Sequence, residues 1–167
     1  MRTKQKDGWI AVIVCGVIVP IAIAAVALFF MVPKSVFYSR SHYVGSAMQM
    51  TDAELIDALA ENDMSIASAY RDEVRRRGEA VATMGLTHSD YRVRHRSVQV
   101  MSRFTTDTAH AHLVTALKDQ DRYVRMAAIN GLVLFWEDER SIEIVREHAK
   151  TEKDPVTLRL IEHHGIQ

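Results

Sequence analysis

The residues of this chain with chemistry to offer are eight histidines, one cysteine, ten serines and a run of arginines. A metal site would need His, Cys, Asp or Glu side chains converging on one point, on a helix at spacing i, i+4. His110 and His112 stand two apart, so on a helix they face different ways. His88 and His95 flank Asp90, His42 stands alone, and His163 and His164 follow Glu162. No H-E-x-x-H occurs. Cys15 sits inside an uncharged run, no serine lies in a G-x-S-x-G turn, and no glycine-rich loop precedes a helix as phosphate binding requires. These absences lead to an expectation of no catalytic residue, no metal and no cofactor.

Charge is the remaining lead. From 71 to 103 there are eight arginines (71, 75, 76, 77, 92, 94, 96, 103) against four acids, net +4. From 51 to 70 there are five acids and no base, and from 104 to 167 eight bases face eleven acids. The chain beyond residue 50 therefore carries net −4, which argues against nucleic acid. Glu73→Arg77 and Asp72→Arg76 are at i, i+4 and would make a solvated, self-paired face. An acidic protein or a lipid headgroup is the other partner this arginine stretch fits.

These residues must be positioned by a chain of 167 residues, long enough for one modest domain. From Trp9 to Val32 there is no charge, a stretch of roughly 36 Å as a helix against a hydrocarbon core of about 30 Å. It reads as an uncleaved single-pass signal-anchor helix over 9–32, contacting the lipid bilayer and kinked at Pro20. Arg2, Lys4 and Lys6 precede it, and only Lys34 and Arg40 follow within twenty residues. The positive-inside rule then puts tail 1–8 in the cytoplasm and the C-terminal domain on the extracytoplasmic or periplasmic side of an inner membrane. Residues 33–50 read as a juxtamembrane linker, and 51–167 as a helical domain. Thr51 opens that domain with T-x-x-E to Glu54, a capping box.

Two stretches 31 residues apart match. Asp90, Val93, Arg94, Val98, Met101 and Phe104 fall on Asp121, Val124, Arg125, Ile129, Leu132 and Phe135. A third copy starts at Asp154, and a degenerate one covers helix 64–77 and the segment after Gly78. The aspartates stand where N-caps are needed, with Pro155 at the favoured first helical position; Asp107 and Asp138 can cap the second helices. Apolar residues three, seven or eight, eleven and fourteen after each first Asp make one stripe, which stacked pairs can bury and a lone pair cannot. No stretch alternates as a strand would.

The stretch from Ala116 to Leu132, with D-x-x-V-R-x-x-A-x-x-x-L inside it, resembles the HEAT repeat, in the short form of bilin-lyase-like proteins. Ser97 stands where that pattern has Ala, and Thr157 and Leu158 replace its Val-Arg pair. Some iron-dependent enzymes of this build carry His-Glu dipeptides; Glu147-His148 and Glu162-His163 have the reverse order. The resemblance implies an all-α fold, a short right-handed α-solenoid of HEAT-like hairpins preceded by the transmembrane helix. It implies a scaffold that binds an unidentified protein partner, with a HEAT-like lyase, an enzyme accessory domain or a structural membrane subunit as alternatives. Asp90, Arg94, Asp121 and Arg125 are expected to form a structural ladder along the stack. The second helices, about 107–118 and 138–150, are expected to offer His110, His112, Thr115, Lys118, Arg140, Glu143, Arg146 and Glu147 to the partner. Leu158 and Ile161, if left bare at the end of the stack, would promote homo-association.

Overall fold

The computed structural model describes residues 34–136 and 138–166. The tail 1–8 and the transmembrane segment 9–32 expected from the sequence lie outside the described residues. Among the described residues no helix is long and apolar enough to cross a membrane. A compact unit begins at His42 and runs to the C-terminus.

All regular structure among the described residues is helical. The helices are α1 (Lys34–Gln49), α2 (Asp52–Ala58), α3 (Met64–Arg77), α4 (Glu79–Met84), α5 (Tyr91–Met101), α6 (Asp107–Ala116), α7 (Arg122–Gly131), α8 (Glu139–Ala149) and α9 (Pro155–His163). A single 3-10 turn, Gly85–Thr87, follows α4, and α7 widens into a π-helical stretch, Leu132–Trp136. The segment expected as a linker is thus helical up to Gln49, with Ala47 fully buried. Arg77 explains this: its guanidinium donates to the Ala47 carbonyl at 2.9 Å and to Asp52 Oδ1 at 2.7 Å, which ties the α1–α2 corner to α3.

Local chemistry sets the helix starts. Thr51 and Glu54 form the reciprocal capping box. Asp63, Asp90, Asp121 and Asp154 each cap a helix through a carboxylate that accepts backbone N–H groups of its first turn, and Asp138 does the same for α8. The start of α6 differs from expectation: Thr106 is its cap, accepting from Ala109 N, and Asp107 is the first helical residue. An aspartate there still favours the positive end of the helix dipole.

The helices opened by Asp90 and Asp121 lie side by side, as a repeat stack requires; α3 packs on the outer flank of α5, and α9 on that of α7. Shorter α4 and helix α6 each lie against this row, and α8 is joined to it through α9 and the π-helical stretch. The apolar stripe falls where the spacing puts it: Val93, Val98 and Met101 on α5 and Val124, Ile129 and Leu132 on α7 are all essentially inaccessible. Burying each such side chain is worth about 1.5–3 kcal/mol. The stripe fails at one position. Phe104 is partly buried, but its repeat mate Phe135 is 43% exposed, because the π-helical stretch rotates it out and turns the next residue, Trp136, inward.

Of the two apolar residues expected to be bare at the C-terminal end, Ile161 is buried and Leu158 is half-buried. Gly165 takes φ +73° and donates to the Glu162 carbonyl, while Ile166 N–H reaches back to the Ile161 carbonyl at 3.3 Å. That bond pair is a Schellman motif, and it folds Ile166 against Ile161, both buried.

Gly85 shows how closely the units pack. A Cβ added there would stand 2.0 Å from Ser97 Oγ. That hydroxyl is buried and has no hydrogen-bond partner, the local consequence of Ser where the repeat pattern has Ala. Replacing Ser97→Ala removes an unsatisfied buried group and is expected to stabilise the protein by about 1 kcal/mol, a rise of a few degrees in Tm. Gly85→Ala should destabilise it by about 1–3 kcal/mol through overpacking. Thermal melts of the two variants check both signs.

Candidate functional site

The loops joining the repeats carry the best-organised polar chemistry. Arg94, four residues into α5, grips Asp119 with two bonds, Nε to Oδ2 at 2.8 Å and Nη2 to Oδ1 at 3.0 Å. Its Nη1 donates to the His88 and Ser89 carbonyls of the loop before its own helix. Arg125 repeats the arrangement one unit on: it grips Glu152 at 2.7 and 3.1 Å and donates to the Asp119 and Gln120 carbonyls. Each arginine therefore ties the loop before its own helix to the loop before the next.

This corrects the expected ladder. Asp90 and Asp121 are caps and do not receive Arg94 or Arg125. The ladder acids are Asp119 and Glu152, each two residues ahead of a cap aspartate and also accepting that residue's backbone N–H at 2.8 Å. Glu61 fills the same place before Asp63, and His88 fills it before Asp90 through Nδ1. A regular acceptor two residues before each cap aspartate was the sequence signal for the ladder, masked by its changing identity: Glu, His, Asp, Glu.

The electrostatics follow from these contacts. Burial pushes the Asp119 and Glu152 carboxyls up, but the arginines and backbone N–H groups outweigh it, bringing Asp119 below the ordinary range and Glu152 to about 2. Hydrogen bonds from Arg92 hold Asp90 at about 2, and those from Arg76 and Arg77 hold buried Glu73 at about 2.

Most of the arginines in 71–103 are absorbed in this way. Arg76 and Arg77 bind Glu73, Arg92 binds Asp90, and Arg94 binds Asp119. Arg96 is buried and caps the end of α2 by donating to the Leu59 and Glu61 carbonyls. The remaining three, Arg71, Arg75 and Arg103, have no carboxylate partner among the described residues, and all three line one cleft of about 320 Å³ across α3, α5 and α7. Arg71 and Arg75 lie four apart on one face of α3, where like charges repel by a few tenths of a kcal/mol; the helix C-terminus offsets part of that for Arg75. Arg103 stacks over the exposed Phe135 ring at 4.1 Å from its centroid. Arg71 donates to Gln99 Oε1, and Gln99 donates in turn to His95. Burial, then Arg96 and Arg71, push the His95 pKa down, which keeps its ring nitrogen free to accept. Asn130, on the opposite wall, is held by His164 at 2.9 Å.

The residues expected to meet a partner are divided by the structure. His112, Thr115 and Lys118 come together, lining a mainly apolar groove of about 350 Å³ with Leu86, Val98 and Val124. Arg140 is exposed on α8, where Glu143 pairs with Arg146 and Glu147 with Lys150. His110 is a correction: it is buried, packs edge-on to Trp136, and bonds Ser141 Oγ at 2.9 Å. Ser141 in turn bonds Asp138, yet this His-Ser-Asp chain is no hydrolytic triad. The serine stands between the other two, it is fully buried, and its place is a strut between α6 and α8. Among the described residues no three His, Cys, Asp or Glu side chains converge as metal ligands.

Helical hairpins stacked in register, with aspartate caps and an arginine bracket between successive loops, define an α-solenoid. A family model for HEAT repeats matches residues 79–163, just over half of the chain, and the chain belongs to that family. Among curated proteins no significant match is found.

Two outcomes follow for the bracket. Asp119→Ala removes the acceptor for both Arg94 and the Asp121 N–H and is expected to cost about 2 kcal/mol in chemical denaturation. Glu73, Asp90 and Glu152 have folded pKa values below their unfolded ones, so their contribution is complete above about pH 4.5 and is lost as pH falls toward 2. Urea midpoints should therefore hold between pH 7 and 5 as far as these groups are concerned, then drop steeply below pH 4.

Proposed function

We propose that this chain is a membrane-anchored HEAT-repeat interaction module. Residues 9–32 hold it in an inner membrane with the N-terminus in the cytoplasm, and the solenoid recruits a protein partner on the other side without catalysis of its own. HEAT repeats generally serve protein–protein interaction, which supports the broad class. One observation supports a recruiting surface on this particular chain. The cleft crosses three successive helices of one row, α3, α5 and α7, and collects three arginines that have no carboxylate partner among the described residues. A surface shared among repeats is what an extended partner segment needs. The uncharged run and its basic N-terminal flank support the anchor.

Photo-crosslinking in intact membranes tests the reading. Photoreactive residues at position 72, in the cleft, and position 115, in the apolar groove, should between them give a discrete protein adduct, and one at position 159, on exposed α9, should not. The full chain should remain in the membrane pellet after an alkaline wash, and a reporter fused after Gln167 should be active only on the extracytoplasmic side. No adduct from the cleft or the apolar groove would sink the module, and release by the wash would sink the anchor.

A further inference from the structure

The geometry points to an acidic peptide segment of the partner, its carboxylate side chains seated between Arg71, Arg75 and Arg103; this rests on the interaction-module reading above. Five of the eight arginines between 71 and 103 are consumed by bonds within the fold, four to carboxylates and one to backbone carbonyls. The other three converge on one cleft, whose lining includes a single acid, Asp72. The repeat pattern does not require a cation at any of the three positions. Arg71 and Arg75 repel one another at their spacing, a repulsion that an incoming anion relieves.

The walls are built to hold that anion still. Arg103 sits over the Phe135 ring, 4.1 Å from its centroid, which restricts its guanidinium so that it loses less freedom on binding. The His95–Gln99 pair fixes Arg71. Amides at Gln99 and Asn130 line the same cleft and can meet a peptide backbone. A volume of about 320 Å³ admits a short segment and not a folded surface. Carboxylates are favoured over an anionic bilayer surface by the rest of the domain. The chain from residue 51 onward carries net −4, so a negative membrane would repel the body that holds the cleft.

The test uses the detergent-solubilised full chain and a fluorescent twelve-residue peptide of alternating Glu and Ala, read by anisotropy, beside flotation with vesicles of phosphatidylcholine alone or with phosphatidylserine. Saturable peptide binding is expected, weakened about tenfold or more by Arg75→Glu and by Arg103→Glu. It should stay within about twofold for Arg159→Glu, which alters charge equally but lies outside the cleft. Arg103→Lys, which keeps the charge and loses the stacked plane, should fall between wild type and Arg103→Glu. Melting temperatures of all variants separate lost binding from lost fold. No peptide binding, equal loss in Arg159→Glu, or cleft substitutions that alter only flotation with phosphatidylserine would overturn the proposal. If the peptide fails while position 72 still crosslinks a protein in membranes, the acidic class falls and the module stands. If both fail, both fall.

Discussion

The stack depends on a guanidinium that reaches two loops at once. Arg94 and Arg125 each bond the carbonyls that precede their own helix and a carboxylate that precedes the next. Apolar contact between α5 and α7 is non-directional and would tolerate sliding; a planar fork gripping one carboxylate through two bonds does not. The carboxylate also holds the backbone N–H of the next cap, so helix start and repeat spacing are set by one group. The third unit has Leu158 in place of the arginine, and its helix ends in the Gly165 turn.

This division of labour explains why so many arginines in a repeat protein say little about binding. Arg77 and Arg96 do for the N-terminal units what Arg94 and Arg125 do later: they satisfy the carbonyls of corners and helix ends. Charge pattern alone cannot separate such residues from the three that face the cleft. The separation needs the positions of acceptors contributed by loops roughly 25 to 37 residues away in sequence.

Much of the fold was legible because its causes are local or periodic. The Asp caps, the capping box at Thr51 and the buried stripe on α5 and α7 follow from spacing that any helix must obey. What escaped was set by tertiary contact. His110 reads as a polar surface residue from its place on α6, and only the arrival of Ser141 and Trp136 makes it a core strut. The ladder acids were missed because Asp119 and Glu152 differ in length and the bracket accepts either. The cleft was missed because its walls come from the row opened by the first Asp of each unit, whereas the expected contact residues lie on the second helices. HEAT membership was readable from D-x-x-V-R and its spacing, since those residues make the bracket itself.

The π-helical stretch at the end of α7 acts as a one-residue insertion in the register. Each residue of an α-helix advances by about 100°, so the added residue sets Phe135 back by one such turn and gives Trp136 the direction Phe135 would have in an uninterrupted helix. One lands on Arg103 at the cleft, and the other on His110 between α6 and α8. A deletion of a single residue between 132 and 136 would therefore disturb two distant places together: it would strip the stacking partner from the cleft and leave the strut without its aromatic cover.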